Sequence, residues 1–171
     1  MLKNTLILKL HPTRVAWYLN ALEYGICKIT LNLVYTGDIL AERFGSIVKD
    51  NLNINRIAIE KPYLKLLGDQ YSRKLAEQII HTQRTFGVIL YLIHLNFPGV
   101  PQVQVSSKVA RDKIYNKEIN KDIQLSEARV LLENTEHLSP LSLLCLHDCL
   151  CIERYLELEN IVCSNVLLKG D

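Results

Sequence analysis

The sequence predicts an α/β protein built on a mixed sheet. Three observations carry that prediction: three short strand-like runs follow one another at the start of the chain, two later apolar runs are each reached through a helical stretch, and the last third is helical. Three strands joined by tight turns pair antiparallel, whereas a strand reached through a helix adds in parallel.

Thr5–Leu10 reads as the first strand and His11-Pro12-Thr13-Arg14 as its turn. Val15–Leu22 and Cys27–Val34 are the second and third runs, with a turn expected at Tyr24-Gly25. Ile39, Leu40, Phe44, Ile47, Val48 and Leu52 keep helical spacing, and Arg56–Ile59 returns to strand. That strand ends on Glu60, and Lys61-Pro62 stops it because proline lacks a ladder donor. A long helix is expected over residues 72–95, from the spacing of Leu75, Ile79, Thr82, Phe86, Ile89, Leu90 and Ile93. Val100–Val105 gives the fifth strand. Ser106 or Ser107 caps a helix over Val109–Tyr115, Asn116–Asp122 reads as a mobile loop, and Ser126–Leu132 as helix. Ser139-Pro140 opens a last helix expected to reach about Glu157.

Length and composition suit one domain, with its core over about residues 5–158 of the 171. A content of 49% hydrophobic and 22% charged residues fits an ordinary globular chain. No apolar run is long enough to span a membrane, and the first residues lack the apolar region of a signal peptide, so an intracellular protein is expected. An odd cysteine count of five without that signal argues against disulfides. Cys145, Cys149 and Cys151 around His147 raise the idea of zinc, but the paired ligand spacing is absent and the segment reads as a buried helix with cysteines as small hydrophobes.

The chain's net charge of +2 neither demands nor excludes nucleic acid. Lys108, Arg111, Lys113, Lys117 and Lys121 cluster, diluted by Asp112, Glu118 and Asp122, so a solvated basic loop is the competing reading. With Lys61, Lys65, Arg73 and Lys74 they could form a positive face for phosphates, and Tyr63 and Tyr71 could stack on a base or pack on the sheet. A strand that ends on an acid, as Ile57-Ala58-Ile59-Glu60 does, is how many α/β enzymes present a metal ligand or a base.

Leu6-Ile7-Leu8-Lys9-Leu10-His11-Pro12-Thr13-Arg14-Val15-Ala16-Trp17, Ile57-Ala58-Ile59-Glu60-Lys61-Pro62, Val105-Ser106-Ser107-Lys108-Val109-Ala110-Arg111-Asp112-Lys113 and His147-Asp148-Cys149-Leu150-Cys151-Ile152 together resemble the motifs of the RuvC-like Holliday junction resolvases, in the same order. The resemblance implies a ribonuclease H-like mixed sheet, three antiparallel strands plus two parallel ones, flanked by helices. It also implies a phosphodiester-cutting site in which carboxylates hold two divalent cations, magnesium or manganese, roughly 4 Å apart. Carried over position by position, Glu60 and Asp148 match acids of that site. The first acid falls on His11 and the companion acid of the last helix on Cys145.

The expected site is therefore His11, Glu60 and Asp148 as metal ligands with His147 nearby, degraded or altered relative to a two-metal nuclease; for His11 alone, a turn histidine satisfied by backbone groups is the competing reading. An imidazole offers one nitrogen per face and cannot bridge two ions as a carboxylate does. The implied function is binding of branched or duplex DNA. One alternative is an active metal-dependent endonuclease with a histidine-containing site. The other is a structural protein that keeps only the fold. A homodimer through the helix over residues 72–95 is implied by analogy.

Overall fold

The computed structural model describes residues 4–30, 33–50, 53–62, 73–116 and 119–167. Its elements are β1 (Thr5–His11), β2 (Arg14–Tyr18), β3 (Tyr24–Lys28), α1 (Leu33–Asp50), β4 (Arg56–Glu60), α2 (Arg73–Asn96), β5 (Gln102–Val105), α3 (Ser107–Tyr115), α4 (Lys121–Leu131) and α5 (Pro140–Leu167). The sheet order is β3-β2-β1-β4-β5. The first three strands are antiparallel, and β4 and β5 add in parallel on the other side of β1. This is the mixed sheet that the strand and helix order predicts.

The sheet alternates its side chains between two helical layers, as the period of two requires. Leu6, Leu8 and Leu10 of β1, with Ile57 and Ile59 of β4, face α1 and α2. There they pack on Leu40, Phe44, Ile47, Ile89 and Ile93. Ile7 of β1 and Ala58 of β4 face the other layer and meet Leu143, Leu146, Leu150 and Ile152 of α5. Because β1 is central, Lys9 and His11 point to the same side as Ile7, beneath α5.

Four expectations shift. The third strand, expected over Cys27–Val34, is β3 over Tyr24–Lys28, and Leu33 and Val34 instead open α1. The turn expected at Tyr24-Gly25 falls earlier: Leu19 N–H donates to the Glu23 carbonyl at 2.9 Å, and the Asn20 side chain accepts from the Leu22 and Glu23 amides. Gly25 is instead in β3 opposite Trp17, and a Cβ there would lie 2.6 Å from the indole Nε1. The glycine marks where a large ring lies across the strand. Helix α4 starts at Lys121 rather than Ser126, because the Asn120 side chain caps it by accepting from Ile123 N–H at 2.9 Å. Helix α5 continues past Glu157 to Leu167. Ser106 is the cap of α3 and accepts from Val109 N–H.

A salt-linked candidate site at the ends of β1 and β4

Register brings the site together. The last aligned pair of β1 and β4 is Leu8 with Ile59, so Lys9 and Glu60 stand side by side at the next step. On the far side Glu60 pairs with Val105, and Lys61 N–H donates to the Val105 carbonyl, which sets the start of α3 directly beside the carboxylate. These are the carboxyl ends of parallel strands, where open α/β sheets place their sites. Helix α5, covering this face, lowers Asp148 onto the same point.

The group at the centre is Lys9. Its ammonium pairs with Glu60 Oε1, lies 3.0 Å from Asp148 Oδ2 and donates to Ser107 Oγ at 3.3 Å. An ammonium has three protons, and three acceptors meet it here. Glu60 is held from two more directions: Leu10 N–H donates to Oε2 at 3.2 Å, and the Ser107 hydroxyl donates to Oε1. The other oxygen of Asp148 pairs with the Arg111 guanidinium from α3. Glu60 and Asp148 are buried, with Lys9 and Arg111 partly so. Burial works against the charge on Lys9, but the two carboxylates outweigh it and raise the pKa above its ordinary value. The four charges sum to zero without any added ion.

This corrects the expected set at its first position. His11 does not join the acids. It closes the β1–β2 hairpin, where Nδ1 accepts from Thr13 N–H at 3.2 Å and lies 3.1 Å from Thr13 Oγ1. Burial, with Arg14 and Lys9 nearby, lowers its pKa and favours the neutral ring. With Nδ1 accepting, the proton sits on Nε2 and the lone pair that a metal would need is spent in the turn. His11 faces Arg14 at the end of the ladder, two residues past the level of Glu60, and the residue of β1 that reaches the acids is Lys9.

His147 is also elsewhere. It is one residue from Asp148, but the helix turns it into the layer between α3, α4 and α5. Its Nε2 lies 3.0 Å from Glu127 Oε2 and 3.2 Å from the Tyr115 hydroxyl, and Nδ1 lies 3.6 Å from Cys151 Sγ. Burial pushes the Cys151 thiol up to about 12 and the Cys145 thiol up to about 11, so both are small apolar groups rather than thiolates. Among the described residues no group of three histidines, cysteines or acids is arranged to hold a metal ion. The residues present do not fit a divalent cation, because an ammonium lies where one would meet Glu60 and Asp148.

Of the expected basic face, Lys61, Arg73, Lys74, Lys108 and Lys113 are exposed. Lys61 and Lys108 each directly follow a residue of the cluster in sequence and are exposed. Arg111 is committed to Asp148, and Arg73 pairs with Glu77 at 3.0 Å in solvent. Lys65, Lys117, Tyr63 and Tyr71 lie outside the described residues. A cavity of about 300 Å³ opens beside the cluster, lined by Lys9, Glu60, Pro12, Pro62, Gln78 and Ile79 among others. A larger one of about 780 Å³, between β3 and the approach to α5, contains Arg14, Lys28, Glu133 and His137 but none of the acids above.

Lys9 is absent from the expected set although the sequence carries a signal for it. A lysine inside Leu6-Ile7-Leu8-Lys9-Leu10 sits in a strand buried on both faces, and a buried ammonium requires acidic partners. Glu60 and Asp148 were the available candidates.

No family model matches the sequence, and no curated protein does. Solved structures do match. RuvC of Thermus thermophilus in complex with a Holliday junction substrate superposes with a TM-score of 0.60 at 14% identity, over 85% of this chain and 91% of that one. A second structure of Thermus thermophilus RuvC gives 0.57 at 12% identity, over 90% and 96%. The yeast mitochondrial Holliday junction resolvase is a looser likeness, 0.49 at 12% identity over 96% and 84%. The mixed five-stranded sheet, its helical layers and the two superpositions on Thermus thermophilus RuvC give the chain a ribonuclease H-like fold of the RuvC type.

Proposed function

We propose that this chain binds nucleic acid as a RuvC-like protein, on branched or duplex DNA, with a metal site altered away from two-metal cleavage. The observation that carries the altered site is the Lys9 ammonium seated between Glu60 and Asp148. Two-metal cleavage needs several free oxygen ligands around each ion, and here both acids already face cations. Binding to DNA is supported by the fold shared with a RuvC whose structure contains a junction, and by the exposed Lys61, Lys74, Lys108 and Lys113. Phosphate contacts of this kind give affinity that falls with salt.

The test has two arms. A gel shift with a four-way junction and a matched duplex at low salt is expected to retain DNA and to lose it as salt rises. Incubation of the junction with magnesium, then manganese, is expected to yield no cut product. Cleavage that disappears in Glu60→Gln would overturn the altered-site reading in favour of an active endonuclease. Retention of neither DNA would leave a protein that keeps only the fold.

A homodimer through α2 belongs to the same proposal. Its buried side carries His81, Thr85, Ile89, Leu92 and Ile93, while Ile80, Tyr91 and Leu95 are exposed. Gly87 lies on that outer side, and a Cβ there would meet nothing within 4 Å. Residues 80, 84, 87, 91 and 95 form one seam, with the glycine allowing close approach of a second helix. Light scattering is expected to report a dimer that Tyr91→Glu converts to monomer; a wild-type monomer at micromolar concentration would remove this part.

A further inference from the structure

We infer that Lys9 is the resident cation of this cleft, doing permanently the electrostatic part of what divalent ions would do there. The inference deepens the proposed function and rests on it for its DNA arm only. Its basis is the mismatch between the side chains and a metal. The Lys9 Nζ lies against Glu60 Oε1 and 3.0 Å from Asp148 Oδ2, so one ammonium spans both acids. Arg111 takes the remaining oxygen of Asp148, and the Leu10 amide and Ser107 hydroxyl complete Glu60.

Two buried carboxylates beside a phosphate path would repel DNA if left bare, since like charges in a partly desolvated cleft interact strongly. Here they are neutralised by groups that cannot dissociate or be chelated. The Lys9 ammonium has spent its three donors on Glu60, Asp148 and Ser107, so it shields the acids without itself gripping a phosphate. Contact with the backbone falls instead to exposed neighbours such as Lys61 and Lys108. The cleft is thus built to admit a phosphodiester without divalent ions and without the chemistry those ions supply.

Removing the ammonium should reopen a cation site. Lys9→Ala leaves Glu60 without its ion-pair partner, with Asp148 and the Ser107 hydroxyl close by, an oxygen set that suits manganese or magnesium. The experiment is titration calorimetry with Mn²⁺ alone on the full chain. Wild type is expected to show no saturable site, Lys9→Ala one site, and Lys9→Ala combined with Glu60→Gln none. Lys9→Gln, which keeps most of the side chain's length and a donor but loses the charge, is expected to behave as Lys9→Ala and covers the case in which the alanine variant fails to fold.

The DNA arm measures junction affinity in EDTA and in Mn²⁺. Wild type is expected to be indifferent. Lys9→Ala is expected to bind about tenfold more weakly in EDTA and to recover with Mn²⁺, as restored neutrality at the phosphate path requires. Saturable Mn²⁺ binding by wild type that Glu60→Gln abolishes would overturn the inference, and so would absence of Mn²⁺ binding in both Lys9 variants. If wild type retains no DNA under any condition, the proposed function falls, and the metal titration alone still decides whether Lys9 holds the place of a cation.

Discussion

The two faces of β1 share one backbone and differ in everything else. Leu6, Leu8 and Leu10 enter a layer made of aliphatic and aromatic side chains from α1 and α2. Ile7 and Lys9 enter the layer of α3, α4 and α5, which is threaded with polar groups: the Lys9 cluster, the His147–Glu127–Tyr115 group, and the Tyr18 hydroxyl on Glu153. The first face secures the strand through non-directional burial. The second fixes where its neighbours stand, because an ion pair is satisfied in only one geometry and register. A strand slipped by one residue would put Lys9 among the leucines.

The largest test of this difference is Lys9→Ala. Breaking a buried pair leaves an uncompensated charge, and the expected loss of stability is about 3–5 kcal/mol, read by urea unfolding. The size depends on the acids remaining. If Glu60→Gln is added to Lys9→Ala, part of that loss should return, since the stranded charge is gone. Additive losses in the double variant would mean that the two side chains are not coupled, and the contrast between the faces would reduce to ordinary packing.

On the opposite face Leu8→Ala is expected to cost about 2–5 kcal/mol by lost burial and a cavity. Here no second-site change of charge should help, and neither Mn²⁺ binding nor junction affinity should move once the variant is folded. A Leu8 variant that gained metal binding would show that the apolar face also positions the acids.

The apolar face was legible in the sequence because it depends only on period: alternation along β1 and β4 and the 3–4 spacing along α1 and α2 state which residues are inside. The polar face was legible only in part. Glu60 announces itself by ending an apolar run before Lys61-Pro62, and Asp148 by standing in an otherwise apolar helix. Which residue of β1 meets them is a matter of register and of side-chain reach. The motif resemblance put His11 there, yet the two-residue Pro12-Thr13 hairpin draws His11 into its own turn and leaves Lys9 level with Glu60. The same limit applies to His147: pattern gives its neighbour in sequence, Asp148, whereas the direction of each around α5 decides that one faces the cleft and the other faces Glu127. The start of α4 was lost to the opposite error, since Lys121, Asp122 and Gln124 look like loop until Asn120 is recognised as a cap.

The smallest effect sharpens the contrast through pH. The folded state raises the pKa of Lys9, so the stability drawn from its charge is fully present below the unfolded value of about 10.5 and is lost as pH rises through the higher folded value. No loss from this group is therefore expected between neutrality and about pH 10. Other groups on the same face act in the same direction: burial, with Glu153 beside it, raises Tyr18, and burial with the Glu127 hydrogen bond raises Tyr115, so both favour the folded state less as they ionise at high pH. Wild-type stability alone cannot assign the alkaline fall. The difference between wild type and Lys9→Met can, because the tyrosines are common to both. That difference is expected to be constant up to about pH 10 and to shrink above it. A difference independent of pH through pH 12 would mean that the Lys9 charge contributes nothing to the polar face.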